Sequence, residues 1–365
     1  MTRSAKAFTL VELLVVISII ALLVGLLLPA LASARGKALQ VQDSANLRSI
    51  HTGMVIWAQD NNEAYPNAER SDRQNITEAA SNSGLSKNRS GALMSLLVYN
   101  QNIDISILVS PAEANPDIVV MSEEQYEYRA PERAADTANR SQALYDPGLK
   151  GTPRDNDDYS VHNSGSFDWN LAGTSRDDNE GNFSYAHIPL AGAWLDLWSS
   201  VNATADQAIL SNRGPVMGSA QGSTASKAPT PTAGGISQND WEPNDSAGEE
   251  NGSLSSSLRI HGGKSTWEGN VCFNDGHVDF LNKTVIDTYS IPDTTGDRQV
   301  PDQLFAAEGR NFQQQNAGQN FLNVANDAYM GTWSAAIATN QSLVSANGRR
   351  LFFPDTFAGG WRFSN

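Results

Sequence analysis

FTLVELLVVISIIALLVGLLL, Phe8 to Leu28, is the stretch from which the rest of the chain is read. Only Thr9, Glu12 and Ser18 interrupt its apolar run. It is long enough to cross a bilayer as a helix, for which about 20 residues suffice. The short basic segment MTRSAKA precedes it, with Arg3 and Lys6. A membrane anchor is one reading and a secretory signal peptide is the other. The second needs a shorter apolar core and a small-residue cleavage site, which Ala30, Ala32 and Ala34 could supply. Glu12 argues against both in their plain form. A carboxylate in a membrane helix costs a few kcal/mol unless it finds a partner, so its presence asks for a function.

KAFTLVELLVVISIIALLVGLLLPALASAR, Lys6 to Arg35, resembles the prepilin-type signal of type IV pilins and type II secretion pseudopilins. The resemblance implies that a prepilin peptidase cuts on the cytoplasmic side, between Ala7 and Phe8, and methylates the new amine of Phe8. It implies that Glu12 pairs with the amine of a neighbouring subunit, a pairing that also sets register. Pro29 falls where pilin helices commonly kink or locally melt. Ala7 departs from the family, which usually has Gly there, so slower cleavage is expected.

The helix is expected to run from Phe8 to about Asn61. Leu31, Ala34, Ala38, Val41 and Ala45 recur at helical spacing, and Leu47, Ile50, Met54 and Trp57 continue after a phase shift. Arg35, Lys37, Gln42, Asp43 and Arg48 fall mostly between them. An apolar stripe beyond the membrane predicts a globular head packed on it. The expected fold is α+β: a pilin-like lollipop whose long N-terminal helix packs on an antiparallel sheet with long loops. The divisions are a leader at 1–7, a transmembrane half-helix at 8–28, an exported half at 29–61 and a head at 62–365.

Composition narrows the function. The 365 residues carry a net charge of −15, with an isoelectric point near 4.7. A nucleic-acid binder would carry a basic face, so no nucleic-acid partner is expected. One cysteine excludes an intrachain disulfide framework and a Cys-based zinc site.

Downstream, Ser90 to Asn100 reads as a short helix with Leu93, Leu96 and Leu97 inward. Ile107 to Glu113, Val119 to Arg129, Ser166 to Trp169 and Ala208 to Leu210 read as strands. Residues 218–257 are rich in Ser, Gly, Thr and Pro and read as a flexible surface insertion anchored by Trp241. The aromatic C-terminus is expected to return to the body. The segment Asp43 to Pro66, with its NLR…W…D…YP pattern, resembles a subfamily of large pseudopilin-like proteins. In that subfamily a His, a spacer and an Asp-Gly recur near the C-terminus. Here they are His261, Asp275 and Gly276, with a spacer longer than usual. Ser110 stands where the subfamily often has Cys before Pro111.

NVCFNDGHVDFL, Asn270 to Leu281, gathers Cys272, Asp275, His277 and Asp279. Metal binding or acid–base chemistry is one reading. A hairpin is the better one. With Asp275-Gly276 as a two-residue type I′ turn, Val271, Phe273, Val278 and Phe280 share one face. HGGKST, from His261, lacks the first glycine of a phosphate loop, with Leu258 in its place. Asp155, Asp157 and Asp158 form an acidic loop. Oxygen-rich loops can take Ca²⁺, but no EF-hand spacing is present, and a solvated loop is preferred. No cofactor and no catalytic residue are expected.

These readings converge on a structural, non-enzymatic subunit in a bacterial inner membrane with a periplasmic head. It would be processed by prepilin peptidase and assembled with other pilin-like subunits into a type II secretion pseudopilus or pilus-like fibre that could contact secretion cargo. The alternatives are a type IV pilin for adhesion or uptake, and a membrane-tethered hydrolase or carbohydrate-binding module. For the last, Trp169, Trp194, Trp198, Trp241, Trp267, Trp333 and Trp361 would form an exposed face.

Overall fold

A computed structural model describes residues 9–78, 87–151, 181–188, 190, 194–201, 203–215, 217–219, 241–243, 255–262, 266–292, 299–305, 333–336 and 352–354. One long helix, α1 (Leu10–Asp60), carries an α+β head. It runs without a break through Pro29. The residue one turn back, whose carbonyl the proline ring crowds, is Gly25. Asn61 ends the helix, close to the expected boundary.

α1 is long and apolar enough to cross a membrane, and its apolar window has no buried residue. Contact with the head begins near Leu39 and becomes full burial at Asp43. From there Leu47, Ile50, Met54 and Ala58 face the head. Leu47, Ile50 and Met54 are fully buried, each worth roughly 1.5–3 kcal/mol. The second half of the expected stripe therefore holds, except that Trp57 is only half-buried, and the first half does not. Leu31 and Val41 are 65% and 69% exposed, and Ala34, Ala38 and Ala45 are exposed too. At 3.6 residues per turn this row lies about 180° from the buried one. Spacing identified two apolar rows but could not say which one the head covers.

The head's helices are α2 (Ala68–Ser71), α3 (Ser90–Tyr99) and the short α4 (Trp194–Leu197). α3 is buried from Ser90 to Val98, as befits a helix that is largely apolar all round. A close crossing lets the turn after α3 meet α1. A Cβ at Gly53 would collide with the Ile103 side chain, so glycine is required there.

The strands are β1 (Tyr185–His187), β2 (Ala208–Asn212), β3 (Met217–Ser219), β4 (Trp241–Pro243), β5 (Gly269–Phe273), β6 (Val278–Leu281), β7 (Val285–Pro292), β8 (Gln299–Gln303), β9 (Trp333–Ala336) and β10 (Phe352–Pro354). The main sheet has the antiparallel order β1-β2-β5-β6, and α1 lies against β5 and β6. β3–β4, β7–β8 and β9–β10 form antiparallel pairs. Helix and sheet meet in one core, which joins Leu47 and Ile50 of α1, Leu93 and Leu97 of α3, and Ile209 and Val271 of the sheet.

Several expectations change. Ile107 to Glu113 is not a strand: Ile105–Leu108 is a 3₁₀ turn started by Asp104, whose carboxylate accepts Ser106 N–H at 2.8 Å. Val119 to Arg129 forms no strand. Its neighbour Ile118 makes an isolated bridge to Gly181. The insertion expected at 218–257 lies mostly outside the described residues. Its two described ends are tied down: Ser219 pairs with Trp241, and Ser255, Ser256 and Ser257 are buried. Residues 166–169, the acidic loop and the final residues 355–365 lie outside the described residues.

Candidate functional site

Ala7 and Phe8 also lie outside the described residues, but Glu12 does not. Thr9 caps α1 and forms a reciprocal box with it. Glu12 Oε2 accepts from Thr9 N at 2.9 Å and from Thr9 Oγ1 at 2.8 Å, and Thr9 Oγ1 accepts from Glu12 N at 3.2 Å. The carboxylate thus sits at the very start of the apolar helix, directed toward its N-terminal end.

Asp43, one of the polar residues set among the apolar positions of α1, is fully buried. Its position, in helical register with Leu47, Ile50 and Met54, was the available signal. Three donors from separate elements surround it. Tyr185 Oη, from β1, donates to Oδ1 at 2.5 Å. Asn212 Nδ2, from β2, donates to Oδ2 at 2.5 Å. His261 Nε2 donates to Oδ2 at 2.6 Å. Since a carboxylate only accepts, His261 carries its proton on Nε2. Its ring also meets Phe280 edge-on, with centroids 5.9 Å apart. Burial, then the adjacent carboxylate, pushes the Tyr185 phenol far above its ordinary range. Asn212 Oδ1 accepts Asn270 N–H at 2.7 Å, and Asn270 Nδ2 donates to Gln40 O at 3.1 Å, so β5 is tied into the same knot.

A second polar contact lies two turns further along α1. His51 Nε2 is 3.2 Å from Asn274 O, and Tyr65 Oη donates to Asn274 Oδ1 at 2.8 Å. Asn274 is 1% exposed and heads the Asp275-Gly276 turn. This recruitment explains why the hairpin departs from the expected register. The loop has three residues, Asn274 to Gly276, with Phe273 N–H donating to His277 O at 3.0 Å and Gly276 at φ +88°. Asn274, held inward, does not pair across with His277. Cys272 therefore faces Val278, and Val271 faces Asp279. The one-residue slip turns β6 over, so the expected apolar quartet does not share a face. β5 is buried along its whole length, while Asp279 and Phe280 are exposed. His277 stacks on Phe273 at 4.4 Å, and Asp275 Oδ1 accepts its Nδ1–H at 2.5 Å.

His261 and Asp275 thus engage different partners and form no joint centre. Among the described residues, no group of three His, Cys, Asp or Glu side chains could hold a metal. The calcium candidates Asp155, Asp157 and Asp158 lie outside the described residues. Burial pushes the Cys272 thiol up to about 12, which denies it nucleophilic character. Trp198 and Trp267 are buried, and the side chains of the other five candidates for a binding face lie outside the described residues.

A Ser–His pair does occur. Ser90 Oγ lies 2.8 Å from His187 Nε2, and His187 Nδ1–H donates to Ile188 O at 2.7 Å. Both residues are fully buried, and the bond joins α3 to β1. Burial depresses His187 to about 4. An unfolded histidine titrates near 6.5, so between these values the unfolded chain takes up a proton that the folded one refuses. Stability is therefore expected to fall as pH drops from about 6.5 to about 4, by about 3 kcal/mol. Unfolding of the detergent-solubilised chain across that range checks this. His187→Gln should show a shallower loss, and identical slopes would contradict the assignment.

A family model described as the prokaryotic N-terminal methylation motif matches residues 2–28. No curated protein and no solved structure matches the chain. The N-terminal match and the uncovered apolar helix together describe a processed, membrane-anchored, pilin-like protein. The match ends before the head begins.

Proposed function

We propose that the chain is a structural subunit that a prepilin peptidase cleaves between Ala7 and Phe8. It is then methylated on Phe8 and assembled through α1 into a pseudopilus or pilus-like fibre. The observation that carries this reading is the uncovered apolar half of α1, with Glu12 in its first turn and the methylation motif spanning both. An apolar helix of this length is stable in lipid or among other such helices, and the assembled fibre offers the second setting.

The head is exported and the helix is held in the inner membrane until assembly. Arg3 and Lys6 keep the cytoplasmic end in place before the cut. The similarity of Asp43 to Pro66 to large pseudopilin-like proteins favours secretion over adhesion, with secretion cargo as the partner of the head and no catalytic step. Mass spectrometry of the mature chain tests the premise. The expected terminus is N-methylated Phe8. An intact Met1 or Thr2 terminus, or a cut near Ala34, would sink it.

A further inference from the structure

The His…Asp-Gly pattern of His261, Asp275 and Gly276 lies in the head, beyond the N-terminal match at residues 2–28. Its residues nevertheless meet α1 at two polar points. His261 reaches Asp43 at 2.6 Å, and the turn preceding Gly276 reaches His51, whose Nε2 is 3.2 Å from Asn274 O. Gly276 lies against the other ring nitrogen: a Cβ there would stand 3.2 Å from His51 Nδ1. Asp275 holds the turn in shape by accepting both His277 N–H and Nδ1–H, at 3.0 and 2.5 Å.

We propose that His261 and the Asp275-Gly276 turn form a two-point polar clasp that fixes the register of α1 on the head. Beyond the close approach of Ile103 to Gly53, the apolar row does not fix it. Leu39, Leu47, Ile50 and Met54 recur at spacings of three, four and eight residues along the docking face. A helix with such a row can slide along its groove by a turn, about 5.4 Å, and still present apolar side chains. Asp43 forbids the slide. A shift carries its carboxylate away from Tyr185, Asn212 and His261 and leaves it buried without donors. That loss makes a polar residue in an apolar seam a register device. His51 repeats the constraint about 12 Å along the axis. The donors come from β1, β2 and the segment before β5, so the lock closes only when all three are in place.

The test needs no fibre and stands apart from the assembly reading. Spin labels are placed on full-length protein in detergent at Ser49→Cys and Asp206→Cys, both exposed positions. Cys272 is fully buried and remains unlabelled. The expected result is one narrow inter-label distance in the parent. In Asp43→Leu a second population, displaced by about one turn, should appear. His261→Leu should broaden the distribution, and His261→Gln, which keeps a donor, should restore it. If Asp43→Leu does not fold, the double variant His261→Leu/Gly276→Ala carries the same expectation. A single unshifted distance in the folded variants overturns the proposal.

Discussion

Glu12→Ala is expected to abolish entry into a fibre while leaving the chain in the membrane. The two effects separate because they rest on different physics. Insertion depends on the apolar run, and removing a carboxylate from it makes insertion easier by up to about 3 kcal/mol. Assembly, on the proposed reading, depends on pairing Glu12 with a neighbour's amine, and alanine offers no partner. The box with Thr9 sharpens the comparison. One oxygen, Oε2, accepts both bonds from Thr9, which leaves Oε1 for an incoming amine. Glu12→Gln keeps the shape and a box-forming oxygen but loses the charge. It should therefore fail almost as fully as alanine. Membrane fractionation and recovery of sheared fibres measure the two outcomes. Normal fibre incorporation of Glu12→Ala would defeat the pairing role.

The second large effect lies in the head. Asp72 is 2% exposed and makes four interactions. Its Oδ1 accepts the N–H groups of Ile76 and Thr77 at 2.9 and 3.2 Å. Its Oδ2 accepts Glu78 N–H at 2.9 Å and Lys87 Nζ at 2.8 Å. The Lys87 ammonium also donates to Asp72 O at 2.6 Å and to Asn75 Oδ1 at 2.7 Å. It is as buried as its partner. Asp72→Ala removes the counter-charge of a buried cation and the acceptor of three amides at once, and a loss of about 3–5 kcal/mol is expected. Against a typical stability of about 5–15 kcal/mol, that is a large fraction. Lys87→Met should cost less, because the carboxylate keeps its amide donors. Urea unfolding of the two variants gives the order, and a loss below about 1 kcal/mol for Asp72→Ala would contradict it.

The sequence was most legible where one signal outweighs all others. α1 was bounded to within two residues because a long apolar run starts at a capping threonine and its helical continuation ends in polar Asn61. β2 was visible at Ala208 to Leu210 as a buried apolar run. Legibility failed where a partner distant in the chain decides the outcome. The burial of Asp43 was not legible because its donors lie more than 140 positions away. The hairpin register turned on Asn274, which Tyr65 and His51 draw inward. No rule local to Asn274-Asp275-Gly276 contains that contact. The strand expected over Ile107 to Glu113 misled because a short apolar run fits strand and turn alike, and Asp104 starts a 3₁₀ turn over Ile105–Leu108 instead.

The late start of head contact on α1 has a dimensional consequence. With the membrane span ending at Leu28, as the sequence leads one to expect, the helix rises about 16 Å to Leu39, where head contact begins. The polar layer of a bilayer leaflet takes up roughly 5–7 Å of that. About 10 Å of bare helix then remains between the lipid and the head, and this stretch carries Arg35 and Lys37. One further helix, about 10–12 Å across, would just fill that clearance, while a folded domain would not fit. From the side, then, this bare stretch of α1 would be open only to an element about as thin as a single helix.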